Sequence, residues 1–219
     1  MGPIGITISL LVIFAIPATI LSLMFWTMRS DRREAARVRE GWTAFARETG
    51  MTLSWQGKTP GQPVLSGRLG GVLTTIEAVL VSRAPVGSSP APLTVVTLHL
   101  PRRSLSSFRL RPRTSIDRIS SVLGGRNVTF GDEAFDQAFT VKCADPAELR
   151  QALSPEVRRG LVWLLRRTLE RVGWGNSEVM ELTLEGDRLT LSSLGRVATP
   201  WELGRESFDT MQRLAETLS

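Results

Sequence analysis

The first 28 residues constrain this chain more than any other stretch, because none of them carries a charged side chain. Residues 4–28 are almost wholly apolar, and as a helix rising about 1.5 Å per residue they reach across a bilayer core of roughly 30 Å. A signal peptide is the alternative, but it begins with basic residues and has an apolar core of only about 7–15 residues. The sequence therefore predicts a transmembrane anchor over residues 1–28.

Basic residues flank this stretch on one side only. Five arginines follow it and no Lys or Arg precedes it; they are Arg29, Arg32, Arg33, Arg37 and Arg39. The positive-inside rule places such a flank in the cytoplasm. We therefore expect a single-pass protein of the cell membrane, with its N-terminus outside and its C-terminal domain in the cytoplasm.

Residues 29–50 predict a juxtamembrane helix that stops at Gly50. Apolar side chains recur on one face of it at helical spacing, and they are Ala35, Val38, Trp42, Phe45 and Ala46. We expect Arg32 and Arg33 to meet anionic lipid, at about 1 kcal/mol for each basic residue near the surface. The alternative is a solvated face with ion pairs to the acidic residues of the same helix.

Residues 51–219 predict an α+β domain in the cytoplasm. The whole chain is 42% hydrophobic and 22% charged, which is typical of a folded protein. We expect an antiparallel sheet of about six to eight strands, packed with a mid-chain helix over 146–172 and a C-terminal helix after Pro200. A pleckstrin-like, partly open barrel is the alternative, and a mid-chain helix followed by another hairpin argues against it.

Two glycine-containing turns define hairpins. Gly70-Gly71 and Gly186-Asp187 each separate two runs with strand character. The second hairpin has a predicted register, which places Glu185 opposite Arg188 and leucines opposite leucines in the next core positions.

Residues 102–118 are the most basic segment of the chain. Arg109, Arg111 and Arg113 alternate with apolar residues, so a strand here places three guanidinium groups on one face. Such a stripe can bind phosphates, lipid headgroups or an acidic protein partner. The pattern favours the alternative, an exposed sheet face that lies beside neighbouring carboxylates. Nucleic acid is not the expected partner, because the nearest aromatic residue, Phe108, points to the other face.

Few residues suit catalysis. His99 is the only histidine, Cys143 is the only cysteine, and tyrosine is absent. We therefore expect no internal disulfide, no metal, no cofactor and no catalytic residue. The acidic run around Asp132 and Asp136 does not follow the calcium-loop pattern. It predicts either the acid pair of a hydrolase or a short turn, in which Asp132 is the cap and Asp136 pairs with an arginine.

The run GDEAFDQAF, the strand after it, and then DPAEL and LSPEVRRGL resemble a group of uncharacterised bacterial membrane-anchored proteins. Those proteins share an N-terminal span, a Gly-Asp…Phe-Asp…Phe segment and a helix that begins at Ser/Thr-Pro. The likeness is clearest over residues 130–165. It implies a fold family and a membrane context, and it brings no activity, cofactor or site residue with it.

These observations predict a membrane-anchored, non-catalytic binding or scaffold domain at the inner face of the cytoplasmic membrane. The sequence leaves two alternatives: a structural subunit of a membrane complex, in which the span itself makes contacts, and a carboxylate-based hydrolase. The ligand and the oligomeric state are left open.

Overall fold

The structure is a computed structural model, and it describes residues 29, 32–57, 62–81, 91–101, 107–113, 128–172, 180–194, 200–203 and 205–218. The predicted anchor, residues 1–28, lies outside the described residues. Within the part of the chain that is described, no helix is both long and apolar enough to cross a bilayer. The span, its orientation and the membrane location therefore stay predictions.

The domain is built on one antiparallel sheet of eight strands, which confirms the predicted α+β class. The strands are β1 (Thr52–Gln56), β2 (Gln62–Leu69), β3 (Val72–Val81), β4 (Ala91–His99), β5 (Phe108–Pro112), β6 (Phe139–Cys143), β7 (Met180–Glu185) and β8 (Arg188–Leu194). Their order in the sheet is β1-β2-β3-β4-β8-β7-β5-β6. The first four strands form a meander, and β8 joins that meander to the other half of the sheet.

Helices supply the second layer. They are α1 (residues 32–49), α2 (Glu133–Ala138), α3 (Pro146–Ala152), α4 (Pro155–Val172) and α5 (Arg205–Thr217), with a 3₁₀ turn at Pro200–Leu203. The helical segment predicted over 146–172 consists of two helices: Leu153 ends α3, and α4 begins at Ser154-Pro155-Glu156, whose sequence itself indicates a second helix start. The Ser154 hydroxyl accepts the N–H of Val157 at 3.3 Å, and Pro155 stands at the first helical position, where its missing N–H costs nothing.

Both predicted hairpins are present. Gly70 and Gly71 have φ of 59° and 84°, the left-handed conformations that a two-residue type I′ turn requires. Strands β7 and β8 pair in the predicted register, with Glu185 opposite Arg188. The hairpin predictions are thus confirmed at the level of residue pairs.

One face of the sheet carries a single core, and α1, α4 and α5 cover it. Helix α1 inserts Val38, Trp42 and Phe45, each 1% exposed or less. Helices α4 and α5 approach so closely that a side chain at Gly160 would collide with Thr210. Each fully buried apolar side chain contributes about 1.5–3 kcal/mol. The opposite face, called the open face below, has no helix over it among the described elements.

Candidate functional site

The predicted arginine stripe lies on β5, between β7 and β6. Arg109 is exposed, and Arg111 and Arg113 are half-buried. The alternating residues that point into the core are Phe108, Leu110 and Pro112. The predicted alternation is confirmed, so Arg109 and Arg111 lie on the open face of the sheet.

A row of directly opposite residues crosses all eight strands on this open face. In sheet order it consists of Thr52, Ser66, Thr75, Thr97, Thr190, Thr183, Arg109 and Lys142. Six hydroxyl residues are thus followed by two cations. Residues directly opposite have Cβ atoms about 4.5–5.5 Å apart. The row therefore places the guanidinium of Arg109 beside the ammonium of Lys142 at one end of the sheet.

A concavity of about 480 Å³ opens at this end. The charged side chains that line it are Arg109, Lys142, Glu181 and Glu185, and Thr183 adds a hydroxyl. Cations and a hydroxyl can donate hydrogen bonds to a phosphate or carboxylate, which makes the Arg109–Lys142 side suited to an anion.

Arg109 forms an ion pair with Glu181, from Nε to Oε1. The Arg109 side chain is 62% exposed, and that of Glu181 is 33% exposed. An ion pair so open to water contributes only about 0–1 kcal/mol to stability. A ligand with a more highly charged anionic group can therefore take the place of the Glu181 carboxylate at little cost to the fold.

Arg113 serves the fold rather than the concavity. Its Nη1 donates to the main-chain oxygen of Asp136 at 3.0 Å, and its backbone N–H donates to the oxygen of Ala138 at 2.8 Å. These bonds hold the end of β5 to α2. Of the three predicted stripe arginines, only Arg109 lines the concavity.

Arg32 and Arg33 do not join this site. Both are exposed in the first turns of α1, which packs on the helix-covered face of the sheet. Further along α1, Arg39 stacks on Trp55 of β1 with 5.2 Å between the guanidinium carbon and the ring centre. Strand β1 is one edge of the sheet, whereas β5 is next to the other edge. The two predicted groups of arginines therefore belong to separate surfaces.

The acidic run is a structural turn. Asp132 is the N-cap of α2: its Oδ1 accepts the N–H of Phe135 at 3.2 Å. Its Oδ2 accepts from Arg158 Nε at 3.1 Å. The Phe135 N–H and then the Arg158 guanidinium hold the pKa of Asp132 below its ordinary value. A general acid needs a raised pKa, so this shift runs against the hydrolase alternative.

Asp136 holds the backbone ahead of α2. Its carboxylate accepts the N–H of Phe130 at 3.0 Å and the N–H of Gly131 at 3.0 Å. The turn interpretation was wrong in one respect, because the carboxylate that pairs with an arginine is that of Asp132. The reason is the position of Arg158 on α4, which the local sequence around the turn does not show.

Nucleophiles and metal ligands are scarce among the described residues. Burial raises the pKa of the Cys143 thiol, and the neighbouring charge of Asp145 adds to this. A thiol with a raised pKa is a poor nucleophile at neutral pH. Within the described part of the chain, no group of three or more His, Cys, Asp or Glu residues is placed to hold a metal ion.

A second cleft, of about 310 Å³, lies between the end of α1, the β2–β3 turn and α5. Glu48 accepts from Trp201 Nε1 at 2.8 Å and from Arg205 Nη2 at 3.1 Å. The Arg205 guanidinium also stacks on the Trp201 ring at 4.9 Å. These groups are engaged with one another, so they tie the 3₁₀ turn and α5 to α1.

The sequence does not single out Lys142 as a site residue. It predicts the strand over Ala138–Cys143, but not the register of that strand against β5. The alternation of residues along β6 does indicate that Lys142 and Thr140 share one face of the sheet. It does not indicate which residues of β5 lie opposite them.

Comparison with known proteins gives little further information. No family model matches the chain, and no curated protein matches it. Among solved structures, the chain is similar to the crystal structure of the mycobacterial trehalose monomycolate transport factor A, TtfA. The sequence identity is 12% and the TM-score is 0.49, and the match covers 85% of this chain and 95% of that chain. A likeness of this degree assigns neither a ligand nor an activity. The resemblance of residues 130–165 to uncharacterised membrane-anchored proteins stays a prediction.

Proposed function

We propose that this protein is a non-catalytic binding domain, held at the inner face of the cytoplasmic membrane by a span over residues 1–28. The observation that carries the proposal is the packing of α1. Its Trp42 and Phe45 are fully buried in the domain core, and the helix is described from residue 32, directly after the apolar stretch. Four residues of chain extend at most about 14 Å. The domain is therefore held close to the point where the apolar stretch ends.

The chemistry of the described residues supports binding over catalysis. The carboxylates on which a hydrolase would depend, Asp132 and Asp136, accept hydrogen bonds that build the α2 turn. Neither residue lines either of the two cavities described above. The thiol of Cys143 has a raised pKa. A binding surface needs none of these groups to react.

The ligand-binding end of the domain is the Arg109–Lys142 pair beside the concavity. Two cations held on adjacent strands attract an anionic group of a protein partner or a lipid headgroup. The nearby carboxylates of Glu181 and Glu185 limit which anions fit, because a ligand must tolerate negative charge on one side of the concavity.

Topology tests the membrane half of the proposal. Alkaline phosphatase fused to the C-terminus of the full chain is expected to be inactive, since the enzyme folds only outside the cytoplasm. A green fluorescent protein fusion at the same position serves as the matched control and is expected to fluoresce. High phosphatase activity with a dark fluorescent fusion would reverse the predicted orientation, and extraction of the chain by alkaline carbonate would contradict the span.

Crosslinking tests the binding half. In native membranes, an Arg109→Ala/Lys142→Ala double variant is expected to lose the crosslinked species that the unchanged chain forms with another protein. The matched control is Arg159→Ala/Arg166→Ala, which removes two exposed arginines from α4 and equals the test variant in net charge. Equal loss in both variants would show that only total charge matters, and no loss in the first would remove the concavity from the function.

A further inference from the structure

Strand β1 is an edge strand, and the hairpin beside it shows which of its backbone groups point outward. Leu69 and Val72 close the two-residue turn, so this pair exchanges hydrogen bonds between β2 and β3. Along an antiparallel ladder, hydrogen-bonded pairs alternate with pairs that are not. Ser66 and Val64 belong to the pairs that exchange no hydrogen bonds with β3. Their N–H and C=O groups are therefore directed at β1.

The partners of those two residues in β1 are Thr52 and Ser54, whose backbone groups consequently point inward. The N–H and C=O groups of Leu53 and Trp55 point outward, away from the sheet. Pro63 agrees with this assignment. It lies opposite Trp55, and proline has no backbone N–H to donate. The Trp55–Pro63 pair is therefore one that exchanges no hydrogen bonds between β1 and β2.

The two edges of the sheet differ. At the β6 edge, the N–H of Val128 donates to the oxygen of Val141 at 3.1 Å, and Lys142 adds a charge. At the β1 edge, no main-chain bond to another described element occupies the outward groups of Leu53 and Trp55. The sequence TLSWQ also contains no charged residue, although natural edge strands commonly carry charges that block pairing.

We propose that β1 pairs antiparallel with β1 of a second copy of this chain, about a two-fold axis through Ser54. In this register Leu53 of one copy lies opposite Trp55 of the other, so the four outward backbone groups of each copy meet complementary groups. Apolar side chains then face apolar ones on the core side. Thr52 faces Gln56 on the open side, and β1 itself brings no charged residue to the axis. The two sheets become one continuous sheet.

The size of this contact fits a membrane-held dimer. A stable interface between free proteins buries about 1,200–2,000 Å², more than the edges of two strands of this length provide. Confinement to one bilayer raises the effective concentration of the second copy and supplies the difference. This contribution rests on the proposed anchoring.

The symmetry fits the same arrangement. A two-fold axis perpendicular to the sheet leaves both open faces on one side and both α1 helices on the other. The N-terminal segments of the two copies therefore enter the same bilayer when the axis is parallel to the membrane normal. A parallel pairing of the edges would lack this two-fold axis.

Cysteine crosslinking in membranes tests the register. In a full chain carrying Cys143→Ser, Ser54→Cys places two thiols across the axis at a Cα separation of about 4.5 Å, within the disulfide range of about 4.4–6.8 Å. Thr52→Cys is the matched control, because two copies of this position lie about 14 Å apart. We expect mild oxidation to give about tenfold more dimer for Ser54→Cys, as the geometry of disulfides demands. Co-expressed Thr52→Cys and Gln56→Cys chains are expected to crosslink to each other.

A charge variant completes the test. Ser54→Lys opposes two lysines at the axis, and we expect the crosslinking of the Thr52→Cys and Gln56→Cys chains in membranes to be lost when both also carry it. Gln151→Lys, at an exposed position of α3, adds the same charge elsewhere and is expected to leave that crosslinking unchanged. Equal crosslinking of Ser54→Cys and Thr52→Cys, or Thr52→Cys/Gln56→Cys crosslinking that Ser54→Lys leaves undiminished, overturns the proposal. Either outcome would leave the anchoring intact, since carbonate extraction tests that separately.

Discussion

Two arginine–carboxylate pairs of this domain use the same chemistry in opposite surroundings. Arg158 and Asp132 meet at 3.1 Å with side chains only 14% and 26% exposed. Arg109 and Glu181 meet on the open face with side chains 62% and 33% exposed. The half-buried Arg158–Asp132 pair is less open to water than the Arg109–Glu181 pair, so it exchanges less readily with solvent.

The first pair is also embedded in further contacts. Arg158 Nη1 donates to the oxygen of Leu153 at 2.8 Å, and its guanidinium lies 5.7 Å from the centre of the Phe130 ring. Phe130 packs edge-on against Phe135, with ring centres 5.1 Å apart. This corner joins α2, α3 and α4. The helix-covered side of the sheet thus uses charge to fix structure, while the charges of the Arg109–Glu181 pair on the open face stay exposed to solvent.

The largest expected effect comes from the aromatic base of the buried corner. Phe135 is 1% exposed, and Phe135→Ala should lower the free energy of unfolding by about 3–5 kcal/mol, because the cavity removes both burial and packing. Urea unfolding of the full chain in a mild detergent measures this loss. Phe135→Leu, which fills most of the space, is the control and should lose clearly less. A similar loss for both variants would mean that ring packing is not what holds the corner.

The next effect comes from the arginine. Arg158→Ala should lower the free energy of unfolding by about 1–3 kcal/mol, because it removes the guanidinium donor from Asp132 Oδ2 and from the Leu153 carbonyl. Its neighbour Arg159 is exposed, so Arg159→Ala should change stability by no more than about 0.5 kcal/mol. Equal losses in the same unfolding measurement would contradict the structural role of the Arg158–Asp132 pair.

The pH dependence of stability gives a third test. The folded state holds the pKa of Asp132 below its ordinary value. The carboxylate therefore contributes stability that is present above the unfolded pKa and is lost as the pH falls through the lowered folded pKa. Asp132→Asn keeps a capping side chain but loses the charge, and should cost about 1–2 kcal/mol near pH 7. The difference from the unchanged chain should shrink below pH 4 or so, whereas a constant difference would show that the charge is not responsible.

The sequence could predict the contacts that lie within a short stretch of chain. The β7–β8 register follows from one turn, Gly186-Asp187, and from matched residues on either side of it. The buried face of α4 follows from helical spacing alone, and Val157 and Leu161 are buried as expected. In both cases the geometry of one element, or of one hairpin, decides which residues face the core.

Contacts between distant strands could not be predicted. Arg109 lies beside Lys142 only because β5 and β6 pair in one register, and no short turn fixes that register. Arg158 reaches Asp132 only because α4 packs beside α2. The order that inserts β8 and β7 between β4 and β5 is likewise set by the whole core. The candidate site depends on these long-range contacts. The sequence therefore predicts Arg109 as a site residue, but it does not predict that Lys142, Glu181 and Glu185 lie beside it.

The smallest effect on stability is expected where the functional effect is largest. Arg109→Ala should change the free energy of unfolding by no more than about 1 kcal/mol, because its ion pair with Glu181 is open to water. The same variant should weaken the crosslinked species in native membranes, whereas Glu181→Gln should preserve or strengthen it by removing a carboxylate that competes for Arg109. Glu170→Gln, exposed on α4, controls for the change in net charge. If Arg109→Ala lowers the free energy of unfolding as much as Arg158→Ala does, the Arg109–Glu181 pair stabilises the fold. The contrast between the two faces then fails at the place where the ligand is proposed to bind.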